Sequence, residues 1–281
     1  MPTRLRLVHL FPDVLRFYGD GGNVNTLMAR ATARSIDLTV IPVPVGAGAI
    51  PSADIVFVGG GQDAEQVTVA RELERLGAQL TDLVAEGTAF LAVCGGFQNL
   101  GRSYRTSAGT ELPCPGLLPV TTDAAVVGRR LVGPVVAHLA AELPAMPART
   151  VVGFENHGGR TSLDPGARAF ATIEIGHGND DRDHTEGVLL LPGEGGLRGL
   201  RIGTYLHGPL LPRNPHIADA VLSAAVAGGA GFAELAPLDD RFEWEAHEHA
   251  VERIRRSADD DRHVPGWVRR VVDPIRSLIG Y

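Results

Sequence analysis

Phe90-Leu91-Ala92-Val93-Cys94-Gly95-Gly96-Phe97-Gln98-Asn99-Leu100 is the stretch whose reading decides the fold. Its apolar run reads as a buried parallel strand, ends at a cysteine, and is followed at once by two glycines and a polar segment able to start a helix. A side chain held in so sharp a strand-to-helix turn projects above the sheet edge. The glycines remove Cβ atoms that would crowd an approaching reactant. Unpaired N–H groups at the helix start favour the thiolate, the reactive form of cysteine. Cys94 is therefore the candidate nucleophile; the competing reading is a plain buried cysteine at a strand end.

Working outward, residues 4–10, 36–42 and 54–58 read as further strands, with helices over 24–34, from about 63 to 76, and over 80–86. The glycine-rich segment 11–25 reads as a loop. Its Gly19, Gly21 and Gly22 do not have the spacing of a dinucleotide loop. Gly59-Gly60-Gly61-Gln62-Asp63 follows the third strand, where its backbone N–H groups can form an oxyanion hole; the alternative is a tight turn before a helix. Alternating segments over 121–137 predict strands with Arg129 and Arg130 at the bend between them. Short strands follow near 151–157, 170–176 and 187–190, and Leu200 to Leu206 leads into His207. Cys94 and His207 both follow predicted strands. A parallel sheet gathers such ends on one edge, so that an imidazole can take the thiol proton.

The 281 residues are 44% hydrophobic, enough for one main domain with an appendage. A formal charge of -7 supplies no broad basic field, which argues against a non-specific nucleic-acid binder. The opening residues lack the apolar core of a signal peptide, and no apolar run approaches the roughly 20 residues a bilayer requires. A cytoplasmic protein with two free thiols is expected, Cys114 being structural or incidental. His177, Asp180, Asp181, Asp183, His184 and Glu186 lack metal-ligand spacing and read as a solvated loop, so no metal or cofactor is expected in this chain. His157 reads as ordering its loop or touching a ligand. His247 and His249, two apart, diverge on a helix and read as surface residues. After about residue 237 the composition shifts to a charged helix, and an apolar-basic face over 267–279 suits a partner, a membrane surface or a packed appendage.

Phe90 to Leu100 resembles the nucleophile elbow of class I glutamine amidotransferases, and residues 59–63 resemble their oxyanion loop. Gly153-Phe154-Glu155-Asn156-His157-Gly158-Gly159-Arg160 and Gly203-Thr204-Tyr205-Leu206-His207-Gly208-Pro209 are similar to the cobyric-acid-synthase-like branch. Within it they resemble the glutaminase subunits of lipid II isoglutaminyl synthase, and the resemblance spans about residues 4–235. It implies a Rossmann-like α/β domain over 1–236, with a mostly parallel sheet flanked by helices, and a C-terminal helical extension over 237–281. Cys94 would be the nucleophile and His207 the catalytic histidine. Arg130 (with Arg129 the near alternative), Gly60, Gly95 and Gln98 would contact L-glutamine. The implied partner is a Mur-ligase-like subunit, MurT, in a heterodimer. That partner would bind ATP and Mg2+ and handle lipid II, at the inner face of the membrane, while receiving ammonia for the α-carboxyl of D-glutamate in the peptidoglycan stem. The alternatives are an ammonia-supplying subunit for another carboxylate of cobyric-acid type and a non-catalytic binding partner.

One departure matters. Many class I members carry a glutamate two residues after the histidine, where this chain has Pro209. The site is then a dyad or recruits an acid from elsewhere, from Glu155, Asp20 or the partner, and the free subunit is expected to be slow until its partner orders the site.

Overall fold

Strands that are apolar at every position need cover on both faces. In the computed structural model, which describes residues 3–15, 19–61, 63–126, 128–143 and 149–263, two such strands form the middle of the main sheet and are wholly buried. The chain runs β1 (Arg4–Leu10), α1 (Gly21–Ala33), β2 (Asp37–Val43), β3 (Ile55–Val58), α2 (Asp63–Arg75), α3 (Gly77–Glu86), β4 (Ala89–Val93) and α4 (Gly95–Asn99). It continues through β5 (Ser103–Arg105), β6 (Glu111–Pro113), β7 (Val120–Asp123), β8 (Leu131–Leu139), β9 (Thr150–His157), β10 (Arg160–Leu163) and β11 (Ala171–Ile175). Last come β12 (Thr185–Glu186), β13 (Val188–Leu190), β14 (Arg201–Thr204), α5 (Leu210–Arg213), α6 (Pro215–Val226) and α7 (Arg241–His263).

The main sheet has the order β13-β14-β4-β3-β1-β2, parallel throughout except for the edge strand β13. Two four-stranded sheets, β10-β7-β5-β6 and β12-β11-β8-β9, pair antiparallel except at β5–β7. The α/β fold is thus built on mixed sheets, and the expectation of a mostly parallel sheet describes only its main layer. The half-polar alternation of β8 and β9 is the pattern of strands with one buried face, which pair antiparallel.

Helix α1 begins at Gly21, inside the segment read as a loop. Packing overrides glycine's weak helix propensity here. A Cβ on Gly22 would lie 2.7 Å from the Pro209 ring, and the Asn23 side-chain carbonyl accepts the Leu211 N–H at 2.8 Å. At the other end of α1, Arg30 forks onto Asp219 (2.6 and 2.7 Å) and Asp240 (2.8 and 2.7 Å), and Arg34 shares Asp219 at 2.7 Å. This cluster joins α1, α6 and the entry to α7.

Helix α7 docks on the body through Val251 and Ile254, which pack against Val136 of β8 and Val152 of β9 and contribute about 1.5–3 kcal/mol each by burial. Arg255 holds Glu174 of β11 with two bonds of 2.7 Å. His247, expected at the surface, is buried: one ring nitrogen meets the Thr150 hydroxyl and the other donates to the Arg213 carbonyl, both at 2.8 Å, and the ring stands edge-on to the stacked rings of His216 and Trp244. Charge on α7 marks its outer face, and the docking face needed this imidazole to satisfy two polar groups. The apolar-basic face over 267–279 lies outside the described residues.

Candidate active site

The strand ends meet as the parallel register requires. Val93 of β4 lies opposite Thr204 of β14, and the Cys94 N–H donates to the Thr204 carbonyl at 2.8 Å. Cys94 adopts φ 50° and ψ −105°, a region L-residues avoid at a cost of about 1–3 kcal/mol. Its surroundings hold it there: the Gln98 N–H bonds the Cys94 carbonyl at 3.0 Å, and the Gly96 N–H bonds the Gly59 carbonyl at 3.0 Å.

That second bond fastens the 59–61 loop beneath the elbow. A Cβ on Gly95 would lie 3.1 Å from the Gly61 nitrogen, and one on Gly60 would lie 3.9 Å from the Cys94 Sγ, so the glycine backbone borders the thiol directly. The Gly60 N–H donates to Asp20 Oδ2 at 2.5 Å. Asp20 is wholly buried at the start of α1, and burial pushes its carboxyl up to about 7 despite that bond.

His207 follows β14 and is held by β9: its N–H donates to the Phe154 carbonyl, its carbonyl accepts the Phe154 N–H, and the Phe154 ring stands edge-on to the imidazole. Burial, helped by neighbouring His157 and Arg130, pushes the imidazole down to about 4, so it is neutral and able to take a proton at ordinary pH. Arg130, just ahead of β8, reaches Asn156 through Nε to the side-chain oxygen and Nη2 to the carbonyl, both at 3.0 Å. Arg129 presents an exposed side chain, and its carbonyl accepts Arg160 Nη2 at 2.8 Å. Of the two, Arg130 is the one whose charge reaches His207.

A polar floor lies under these groups. The Tyr205 hydroxyl bonds Thr161 Oγ1 at 2.6 Å and accepts Gln98 Nε2 at 3.1 Å, while His157 stacks on the Tyr205 ring at 3.5 Å and donates Nδ1–H to the Gly159 carbonyl. The Gln98 side chain is thus engaged beneath the elbow. Glu186 accepts the Thr204 hydroxyl at 2.6 Å and the Tyr205 N–H at 2.8 Å. Complete burial pushes its carboxyl up to about 8. Glu155 accepts the His177 and Gly178 N–H groups at 2.7 and 2.9 Å and lies 3.7 Å from His157 Nε2. Sequence reasoning missed Tyr205 and Thr161 and placed Glu186 in a solvated loop, whereas it is wholly buried; the signal available was the polar pair Thr204-Tyr205, one residue removed from His207.

Among the described residues, no group of three or more His, Cys, Asp or Glu side chains converges as a metal site; His177 instead bonds Asp181 at 2.6 Å. No described helix is long and apolar enough to cross a membrane. Neither Cys94 nor Cys114 is in a disulfide, and burial first of all pushes the Cys114 thiol up to about 12, leaving it unreactive. A groove of about 1240 Å³, lined by Arg34, His216, Phe232, Leu238 and Trp244 among others, lies at the end of α1 opposite Asp20 and contains none of the residues around Cys94.

A cysteine strained above the sheet, a neutral imidazole on the neighbouring strand end and a glycine backbone bordering the thiol define a site of the class I glutamine amidotransferase type. Residues 6–215 match the CobB/CobQ-like glutamine amidotransferase domain. The chain is 36% identical over 253 residues to subunit GatD of the glutamine-hydrolyzing lipid II isoglutaminyl synthase of Staphylococcus aureus (strain N315), covering 90% of this chain and 97% of that protein. It is 30% identical over 226 residues to the corresponding subunit of Streptococcus pneumoniae (strain ATCC BAA-255 / R6), covering 80% and 82%. A probable cobyric acid synthase of Methanopyrus kandleri is 35% identical over 170 residues, which cover 56% of this chain but 31% of that protein. The chain belongs to the CobB/CobQ-like glutamine amidotransferase family and, within it, to the GatD subunits.

Proposed function

We propose that this chain is the glutaminase subunit of a lipid II isoglutaminyl synthase, with Cys94 as nucleophile and His207 as its base. The observation that carries the reading is the Cys94 elbow bordered by Gly60 and joined through Thr204 to the strand that leads into His207. Arg130 receives the α-carboxylate of L-glutamine through its planar fork. His207 takes the thiol proton as Sγ bonds to the side-chain amide carbon. The carbonyl electron pair moves onto oxygen, where the Gly60 and Gly95 N–H groups stabilise it. Collapse breaks the carbon–nitrogen bond, and the imidazolium returns its proton to the leaving nitrogen. Ammonia departs, and water, deprotonated by the same imidazole, cleaves the thioester to glutamate. Gln98 acts from below by fixing the elbow over Tyr205.

The ammonia serves a Mur-ligase-like partner, MurT, which binds ATP and Mg2+ and amidates the D-glutamate α-carboxyl of lipid II in peptidoglycan synthesis. The near full-length match to GatD favours this acceptor over that of cobyric acid synthase, of which only 31% is covered. Residues 1–236 form the amidotransferase domain, and 237–281 are its C-terminal extension. Reconstitution with the partner tests the reading: glutamine-dependent amidation of lipid II is expected, and Cys94→Ala should abolish it while leaving amidation from added ammonium intact. Active glutaminase without lipid II amidation would move the acceptor elsewhere.

A further inference from the structure

The reaction proposed above requires the Gly60 N–H at the moment charge develops on the amide oxygen, yet in this structure that hydrogen already has an acceptor. Asp20 Oδ2 receives it at 2.5 Å. The carboxyl and the thiol flank the same glycine: a Cβ built on Gly60 would lie 3.4 Å from Asp20 Oδ2 and 3.9 Å from Cys94 Sγ. An oxyanion formed there would compete with a carboxylate for one hydrogen and face it at close range, in a site with little water to screen the repulsion.

Among the described residues no cationic side chain is paired with Asp20, and besides Gly60 it meets the Asn23 side-chain amide at 3.4 Å. A buried carboxyl so placed is costly to keep charged, which agrees with its raised pKa. Its segment is also tied to the catalytic turn. Gly19 and Gly22 close on Pro209, two residues after His207, and Asn23 holds the Leu211 N–H. Movement of the first turn of α1 is therefore transmitted both to the Gly60 loop and to the His207 turn.

We propose that Asp20 is a positioning residue acting as a latch: its carboxyl keeps the Gly60 N–H out of the oxyanion hole, and glutamine hydrolysis waits on release of that hydrogen bond. The latch rests on the glutaminase reading and supplies it with a cause for a slow free subunit that lies within this chain.

The test compares wild type with Asp20→Asn and Asp20→Ala, each as the free full-length chain and in complex with the partner, with folding checked by circular dichroism. The free Asp20→Ala subunit, which has no acceptor for the Gly60 N–H, should gain roughly 10²–10³-fold in kcat/KM for glutamine, about the worth of one oxyanion donor, and Asp20→Asn, whose amide oxygen still accepts that hydrogen, should gain less. The stimulation produced by the partner should shrink by the same factor. Independently of any variant, the Gly60 amide signal of 15N-glycine-labelled wild type should be shifted downfield and slow to exchange, and should move when a glutamine-like chloroketone alkylates Cys94. A wild-type complex that releases no ammonia overturns the glutaminase reading and the latch together. An active complex whose free subunit gains nothing from Asp20→Ala, or a Gly60 amide unmoved by Cys94 alkylation, overturns the latch alone.

Discussion

Phe154 and His207 exchange both backbone hydrogen bonds, at 2.9 Å from the His207 N–H and 3.1 Å in return. The pair joins the end of β14 in the main sheet to β9 in an antiparallel sheet, so the imidazole is fixed by two layers at once.

Replacing His207 with Asn removes the base while leaving this clamp in place. Glutaminase kcat in the complex should fall about 10²–10⁴-fold with little change in KM. In wild type the acid limb of kcat/KM should lie near pH 4, where the buried imidazole protonates, and not near its ordinary 6.5. A limb at 6.5 would show that the ring is solvated.

Arg130→Lys keeps the charge and loses the fork. KM for glutamine should rise roughly tenfold to a hundredfold, the worth of a charge-assisted bond, with kcat nearly unchanged. The same change at Arg129 should be silent in both constants, and equal effects at the two positions would contradict the assignment.

Glycine ordinarily destabilises a chain relative to alanine. At position 94, held at φ 50° and ψ −105°, the order should reverse: Cys94→Gly should be more stable than Cys94→Ala by about 1 kcal/mol in urea unfolding, both being inactive. Alanine proving the more stable would mean the elbow stores no strain.

Glu186 gives an alkaline signature. Its folded-state pKa, about 8, lies above the ordinary value of 4.5, so the fold favours the protonated form and the stability this contributes is lost as pH rises. Wild type should lose about 2 kcal/mol between pH 6 and pH 8 from this group, and Glu186→Gln should remove that part of the slope. Thermal melts of both proteins across the range decide it.

Arg30→Ala strands Asp240 and leaves Asp219 with Arg34 as its remaining guanidinium. A loss of about 3 kcal/mol is expected, and Arg30→Lys should recover only part because it cannot fork onto both. Recovery to the wild-type melting temperature by lysine would reduce the cluster to simple charge.

Much of the centre of the fold was legible because it is written in local pattern. The apolar runs of β3 and β4, the glycine turns after them and the strand leading to His207 each carry their own periodicity. The antiparallel sheets were less so: β8 and β9 show alternation, but which strand pairs with which depends on distant partners. Gly21 to Asn23 read as loop because glycine disfavours helices in isolation, and the contact with Pro209 that reverses the preference comes from nearly 190 residues away. His247 failed for the same reason, since a charged helix does not announce which face it buries. Asp20 was visible as an acid near the site, but its target, the Gly60 N–H, is set by tertiary placement alone.

The ion cluster around Arg30 gives α1 a mechanical character. The helix is a rod about 20 Å long, bolted at one end to α6 and the entry of α7 and resting at the other on Gly60 through Asp20. A tilt of about 2° about Arg30, about 15 Å along the helix from Asp20, displaces Asp20 by ~0.5 Å, which lengthens and weakens its bond of 2.5 Å to Gly60. Leverage of that kind lets a small shift at the back of the molecule be read, undiminished, beside the thiol.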